Sequence, residues 1–334
     1  MPVTIKDVAK RAGVSSATVS RVLADKPYTS SEAKRRVLNA VEALGYRPNR
    51  TARSLRARRS SVVGLIVSDI QNPFFNAVVR AVEDTVYGHG YGVFLCNSDE
   101  DAHREQLYLD LFLDEQVAGV ILTPTRDDAK AYEALLSAEI PLTVIDRHVA
   151  ALEVDTVVTN NAEAASDVVE QLIRGGHERI GAIFSDLSIS TGRERLEGYK
   201  NALRKANLPF DPSLVRFGRP VHSDGYQLVG ELLRESATFT ALFTGSKLLT
   251  LGALHYLYEY DANLFDKLAL GAFDTLDWLP NQPEMIVAEQ PAYTLGETAA
   301  QLLLGRIGDS GKAPEHVVLS SSISHIGSSR LGVK

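Results

Sequence analysis

The chain has 334 residues, more than one ordinary domain holds, so it should fold as two or three units. Hydrophobic residues make up 45% and charged residues 23%, the balance of a soluble globular protein. The single cysteine, Cys96, excludes an intrachain disulfide and points to a reducing cytoplasm. No apolar signal core follows Met1, and no apolar run reaches the roughly 18 residues that suggest a membrane span, so neither export nor membrane insertion is expected. The formal charge of −7 divides unevenly. Residues 1–60 hold fourteen Lys and Arg against four Asp and Glu, and the rest carries a balance of −17. A basic head on an acidic body suggests a polyanion-binding module joined to one that binds something else.

The head comes first. Thr4 and Asp7 have the spacing of a helix N-cap and an acid in the first turn. Ile5, Val8 and Ala9 then form an apolar face that Gly13 should terminate. Ser15 can cap a second helix over 16–23, with Ala17, Val19 and Val22 available for packing. A third should start near Ser30, Ser31 and Glu32, line up Ala33, Val37, Ala40, Val41 and Leu44, and end at Gly45 before Pro48. Two short helices joined through a glycine turn make a helix-turn-helix. The division expected is a head over 1–46, a hinge helix and linker over 47–60, and a body over 61–334.

In the body, apolar strand-like runs alternate with helical stretches. Strands are expected over 62–68, 92–97, 119–123, 142–145, 156–159, 179–184, 240–243, 268–273 and 285–288. Helices are expected over 74–87, 104–113, 162–174, 193–205, 225–234 and 294–304. This alternation predicts an α/β fold of doubly wound parallel sheets, and its length predicts two lobes facing a cleft at the carboxyl ends of the strands. No motif of a dinucleotide fold, a P-loop, a zinc protease or a nucleophile elbow occurs, the eight histidines are scattered, and Cys96 has no activating neighbour. Neither enzyme chemistry, a cofactor nor a metal is expected.

From Thr4 to Arg56 the run TIKDVAKRAGVSSATVSRVL…SSEAKRRVLNAVEALGYRPNRTARSLR resembles the head of the lactose-repressor (LacI) family. The body resembles the same family, whose body looks like a periplasmic sugar-binding protein. Its markers are NPFF at 72–75, GVIL at 119–122, IDR at 145–147, GGHERIG at 175–181, RERLEGYKNAL at 193–203 and FD at 273–274. The resemblance implies a bacterial transcriptional regulator, most simply a repressor, with double-stranded near-palindromic operator DNA and a small sugar or sugar acid as partners. It implies base reading by Ser16, Ala17 and Arg21, with backbone contacts from Thr4, Ser15, Thr18, Ser20, Ser30 and Asn49. Leu55 becomes the minor-groove wedge, flanked by Arg53 and Arg56 on phosphates.

The same resemblance makes Arg195 and Asp274 the polar anchors of the effector and Phe74 an apolar face for a sugar ring. It puts Asn97, Ser98, Thr123 and Arg147 on the first lobe's cleft rim, and Trp278 at the cleft mouth or in the core. A surface ion pair is the competing reading for Arg195 and Asp274. Where the family shows an Asn-Asp pair, this chain has Gly245, Ser246 and Lys247, so an acid gives way to a lysine at a helix start beside the cleft. The final strand reads SSSISHIGSSR where the family often has an arginine. Ser246 and Lys247 therefore suggest a more positive cleft holding an aldonate or ketoaldonate, unless Lys247 points to solvent. One helix-turn-helix reads too few base pairs, so a homodimer is expected, and the absence of leucine heptads near Lys334 argues against a tetramer. Ligand closure of the lobes would change the separation of the two hinges, with induction and co-repression both open. A sugar-binding protein without a regulatory role is the alternative.

Overall fold

The computed structural model describes residues 3–23, 29–46, 60–235, 239–260, 268–274 and 284–327. Contacts divide the chain between Arg59 and Ser60 into a head and a body. The predicted contacts Asn49, Arg53, Leu55 and Arg56, and Trp278, lie outside the described residues.

Among the described residues three helices build the head: α1 (Ile5–Ala12), α2 (Ser16–Leu23) and α3 (Ser31–Leu44). The amide and hydroxyl of Thr4 both donate to Asp7 Oδ2, at 2.9 and 2.6 Å, and fix the first turn of α1. Gly13 ends that helix at φ +63°, a conformation that strains any residue with a Cβ, and lets the Val14 amide reach back to the Ala9 carbonyl at 3.1 Å. Ser15 Oγ then accepts from the Thr18 amide at 3.1 Å and starts α2. Val8, Ala9 and Ala12 from α1, Val19 and Val22 from α2, and Val37 and Ala40 from α3 close a small core. Ala17 is exposed, because Val19 and Val22 alone turn inward from that helix.

Among its described residues the body holds two six-stranded sheets. In the first lobe the strands are β1 (Val62–Val67), β2 (Gly92–Asn97), β3 (Gly119–Leu122), β4 (Leu142–Ile145), β5 (Asp155–Thr159) and β11 (His316–Leu319), ordered β11-β5-β4-β3-β1-β2 and all parallel. The second lobe uses β6 (Ile180–Ser185), β7 (Val215–Gly218), β8 (Ala241–Thr244), β9 (Ala269–Phe273), β10 (Met285–Glu289) and β12 (Ser322–Ile326), ordered β12-β10-β9-β8-β6-β7, with β12 antiparallel. Central strands are apolar on both faces because helices cover both. Val63, Leu65 and Val67 face α4 (Pro73–Tyr87) and α11 (Ala292–Gly308), while Ile66 faces α5 (Ala102–Asp114) and α6 (Glu133–Ser137). Each such fully buried side chain contributes about 1.5–3 kcal/mol. Gly64 lacks a side chain for a packing reason: a Cβ there would come within 2.4–2.8 Å of the Phe112 ring. The second sheet is sandwiched likewise between α7 (Asn161–Arg174) with α8 (Ser190–Lys205), and α9 (His222–Glu235) with α10 (Lys247–Tyr260).

Within the described residues the chain passes between the lobes three times, at 159–161, 289–292 and 319–322. The crossings are tied together. Asn160 N–H donates to the Leu319 carbonyl at 3.0 Å, Ser321 N–H to Asn160 Oδ1 at 2.8 Å, and Thr159 Oγ1 to Gln290 Oε1 at 3.2 Å.

The nine predicted strands are present. Periodicity missed β7, β11 and β12, which are edge strands with partly exposed faces. It also missed α10, whose run KLLTLGALHYLYEY has no polar stripe to mark the helical period.

Candidate functional site

In the head, helix α2 presents an exposed polar face. Positions 16, 17, 20 and 21 of α2 lie on the side opposite Val19 and Val22, and Ser16, Ala17 and Arg21 are exposed there. Thr4 and Ser15 are exposed too, but their hydroxyls already serve the helix starts, Thr4 on Asp7 and Ser15 on Thr18. Those bonds from Thr4 hold the Asp7 carboxyl below its ordinary range. Thr18 and Ser20 are half-buried. Exposed basic residues also lie on α1 (Lys6, Lys10, Arg11) and α3 (Lys34, Arg35, Arg36).

In the body, a cavity of about 680 Å³ opens between the lobes, lined by residues that follow the carboxyl ends of strands from both sheets. Phe74 and Phe75, 5.0 Å apart edge to face, start α4 on the first-lobe side and supply apolar wall. Asn72 caps that helix by accepting from the Phe74 amide at 3.1 Å.

Arg195 sits on the floor, 5% exposed, with its guanidinium 3.8 Å above the Phe273 ring centroid. All three of its nitrogens are engaged. Nε donates to Asn161 Oδ1 at 2.8 Å, Nη1 to the Gly245 carbonyl at 2.7 Å, and Nη2 to Gln290 Oε1 at 2.9 Å. Asn161 and Gln290 belong to two of the three crossings. Gln290 in turn donates from Nε2 to Asp274 Oδ2 at 2.8 Å and from its amide to Oδ1 at 3.0 Å. Gln290 therefore touches both predicted anchors and the Thr159 hydroxyl of another crossing. Burial lowers the Arg195 pKa, and the fields of Asp146 and Asp274 work against that shift. Burial raises Asp274, opposed by the Gln290 amide and Arg195.

The first-lobe wall is different in kind. Arg147 is held by Glu100 through two bonds of 2.7 and 2.5 Å and donates to the Pro124 carbonyl at 2.9 Å. Burial would raise Glu100, but Arg147 overcomes it and holds that carboxyl below its ordinary value. Beside them Asp146, 6% exposed at φ +66°, makes no side-chain hydrogen bond among the described residues; burial pushes its pKa up against the pull of Arg147, whose Nε lies 3.5 Å from Oδ2. Beyond that ion pair Asp146 keeps acceptor capacity at the cavity wall. Asn97 is turned to the Ile70 amide at 3.0 Å and to Asp99, Ser98 donates to the Val67 carbonyl at 3.2 Å, and Thr123 is fully buried. None of these three lines the cavity; they shape the loops behind it.

On the second-lobe side Ser246 accepts from the Leu249 amide at 3.3 Å and starts α10. Lys247 is 8% exposed in the cavity wall, so the solvent-facing reading fails. Arg219 and His222 also line it, Arg219 bound to Asp224 at 3.0 Å and His222 against His255 at 3.2 Å. Asp69, Arg219, His222 and Gln290 escaped sequence reasoning, because none belongs to a run whose spacing signals binding, and within the IDR run the sequence reading singled out Arg147 and passed over Asp146. At the rim the lobes are joined by Arg193 to Asp127 at 2.8 Å, and by His148 to Ser190 and to Glu194, each at 3.2 Å.

Residues 4–49 match the family described as bacterial regulatory proteins, lacI family, and residues 60–324 match periplasmic binding proteins and the sugar binding domain of the LacI family. The chain belongs to the LacI family. It is 34% identical over 328 residues to a probable HTH-type transcriptional regulator, EndR, of Paenibacillus polymyxa, covering 97% of this chain and 95% of that protein. It is 36% identical to a ribose operon repressor of Halalkalibacterium halodurans, covering 91% and 90%. Among solved structures, a lac repressor dimer bound to operator and the anti-inducer ONPF superposes with a TM-score of 0.83 at 25% identity, over 97% of this chain and 98% of that one. A complex of the regulator CelR with cellobiose gives 0.73 at 27%, over 96% and 98%. This LacI-family chain is thus a DNA-binding transcriptional regulator with a ligand-binding body, and its relatives are named regulators rather than free solute-binding proteins. Among the described residues no helix is long and apolar enough to cross a membrane, and no cluster of metal-ligand type occurs.

Proposed function

We propose that this LacI-family regulator is a cytoplasmic, non-enzymatic repressor whose operator affinity is set by a sugar or sugar acid held between the lobes. The observation that carries the reading is the Arg195–Gln290–Asp274 network, which joins the cavity floor to the chain crossings about which the lobes would move. Carboxylates of Asp146 and Asp274 suit the hydroxyls of a polyol, and Phe74 offers a face to its carbon skeleton. Arg195, with N–H groups to spare beyond its three bonds, adds a donor. A ligand can shift the lobes only by the difference in its affinity for their two arrangements.

In the head, Arg21 donates to a guanine edge, Ser16 and Ala17 meet neighbouring base edges, and Thr4, Ser15, Thr18, Ser20 and Asn49 hold the backbone. Leu55 wedges the minor groove between Arg53 and Arg56. Two copies are needed to span half-sites about 34 Å apart. Large apolar side chains lie exposed on the first lobe (Tyr87, Phe94, Leu95, Leu107, Leu111) beside edge strand β2, and on the second at Tyr258 and Tyr260. A partner copy would cover such surface. The test is capture of fragmented genomic DNA on the full-length protein, sequencing, and anisotropy titration of the captured sites. Discrete near-palindromic sites are expected; uniform binding to all fragments would overturn the reading.

A further inference from the structure

Lys247 is an ammonium buried to 8% exposure that makes no hydrogen bond or ion pair among the described residues and feels the Asp274 carboxylate only through its field, without contact. A buried lysine without a partner is costly, and its usual compensation is a carboxylate. Its position adds to the cost. It is the first residue of the 14-residue helix α10, whose first turn contains no acid, and the positive end of a helix disfavours a cation. The amides of Lys247 and Leu248 have no acceptor within the helix, since the first turn leaves its N–H groups without partners. Both residues line the cavity. An ammonium and a helix amino end thus converge on one part of the cavity wall.

The charges of the two walls differ in sign. First-lobe residues on the cavity are four carboxylates, Asp69, Asp99, Glu100 and Asp146, with Arg147; Arg147 takes up Glu100 and pairs with Asp146, and Arg104 pairs with Asp99. Second-lobe residues are three cations, Arg195, Arg219 and Lys247, with Asp274. Arg219 is satisfied by Asp224, and Asp274 is held through both oxygens by Gln290. Arg195 spends its three bonds on neutral acceptors. The second-lobe wall therefore keeps a positive surplus beside Lys247, facing carboxylates that accept hydroxyls.

We infer that the effector carries an acidic group, a carboxylate or a phosphate, seated between the Lys247 ammonium and the amino end of α10, with its hydroxyls toward the first lobe. The inference rests on the reading of the cleft as the effector site and narrows it to anionic polyols. The neutral sugars then lose the contact that compensates the lysine.

The test uses the full-length protein with aldonates (gluconate, galactonate, xylonate), the matching neutral aldoses, and the matching aldose phosphates, followed by melting temperature and calorimetry. An aldonate or a phosphate should bind about tenfold or more tighter than its neutral counterpart, and which of the two does so identifies the acid. Lys247→Met should cut the affinity of that acid about tenfold or more. It should also raise the melting temperature of the ligand-free protein, a gain that a merely structural lysine would not give. Binding of neutral aldoses alone, or a Lys247→Met affinity within twofold, overturns the inference and leaves the sensor reading standing. Binding of no compound in the panel overturns both.

Discussion

Gln290→Met keeps the length of the side chain and removes three bonds at once: to Asp274 at 2.8 Å, to Arg195 at 2.9 Å and to Thr159 at 3.2 Å. The backbone bond from residue 290 to Asp274 Oδ1 at 3.0 Å would persist. Hydrogen bonds to charged partners contribute about 1.5–3 kcal/mol each and a neutral one about 1 kcal/mol. Water in the cleft can re-solvate Asp274 and Arg195, so the net loss should fall below that sum, at about 2–4 kcal/mol. For a body of this size that is a drop in melting temperature of roughly 5–15 °C. Because Gln290 fixes Asp274 and Arg195 relative to the crossings, ligand affinity should fall with stability. Differential scanning calorimetry and a ligand titration at a temperature where the variant is folded measure both. A melting temperature within about 2 °C of the parent, with unchanged ligand affinity, would refute the idea that this amide couples the floor to the crossings.

Other perturbations have distinct signatures. Asp146→Asn should raise the melting temperature of the ligand-free protein at pH 7 while weakening the effector. Burial holds the native Asp146 carboxyl above its unfolded value, so its contribution to stability falls as pH rises through that window, and the gain from asparagine should shrink as pH is lowered toward the unfolded value. Thermal melts across pH check this, and an equal gain at every pH would contradict it. Gly64→Val forces side-chain atoms into the Phe112 ring and should cost about 1–3 kcal/mol or more, read by urea unfolding; a neutral result would mean the strand shifts freely. Arg21→Ala should weaken operator binding by about 1–3 kcal/mol and relax the preference at one base pair, and a uniform loss across all sequences would make it a phosphate contact instead.

The head was legible almost residue by residue because its signals are local. Thr4 with Asp7, Gly13, and Ser15 with Thr18 act over three or four positions, and the core valines follow at helical spacing. The central strands were legible for a related reason, since burial on both faces leaves unbroken apolar runs. The edges were not. β12 pairs antiparallel with β10 across a gap in sequence that no local pattern marks, and the few polar residues of α10 form no stripe of helical period. In the cleft, the resemblance placed Phe74, Arg195, Ser246, Lys247 and Asp274 on the wall, where the structure has them. It selected Arg147 over Asp146 because the sequence shows the charge of both but not the Glu100 carboxylate, 47 positions away, that consumes the arginine. Gln290 carried no signal, since its importance lies in three partners far apart in sequence.

In the proposed function, occupancy of the cleft sets operator affinity. Its most direct test is operator anisotropy on the full-length protein, with and without a cleft-binding compound, in the parent and in Asp274→Asn. The compound should shift the parent's operator Kd by about fivefold to a hundredfold, the range of ordinary coupling energies, and the shift should vanish in the variant. An operator Kd indifferent to a compound shown by calorimetry to bind, or an Asp274→Asn protein that responds as the parent does, would contradict it.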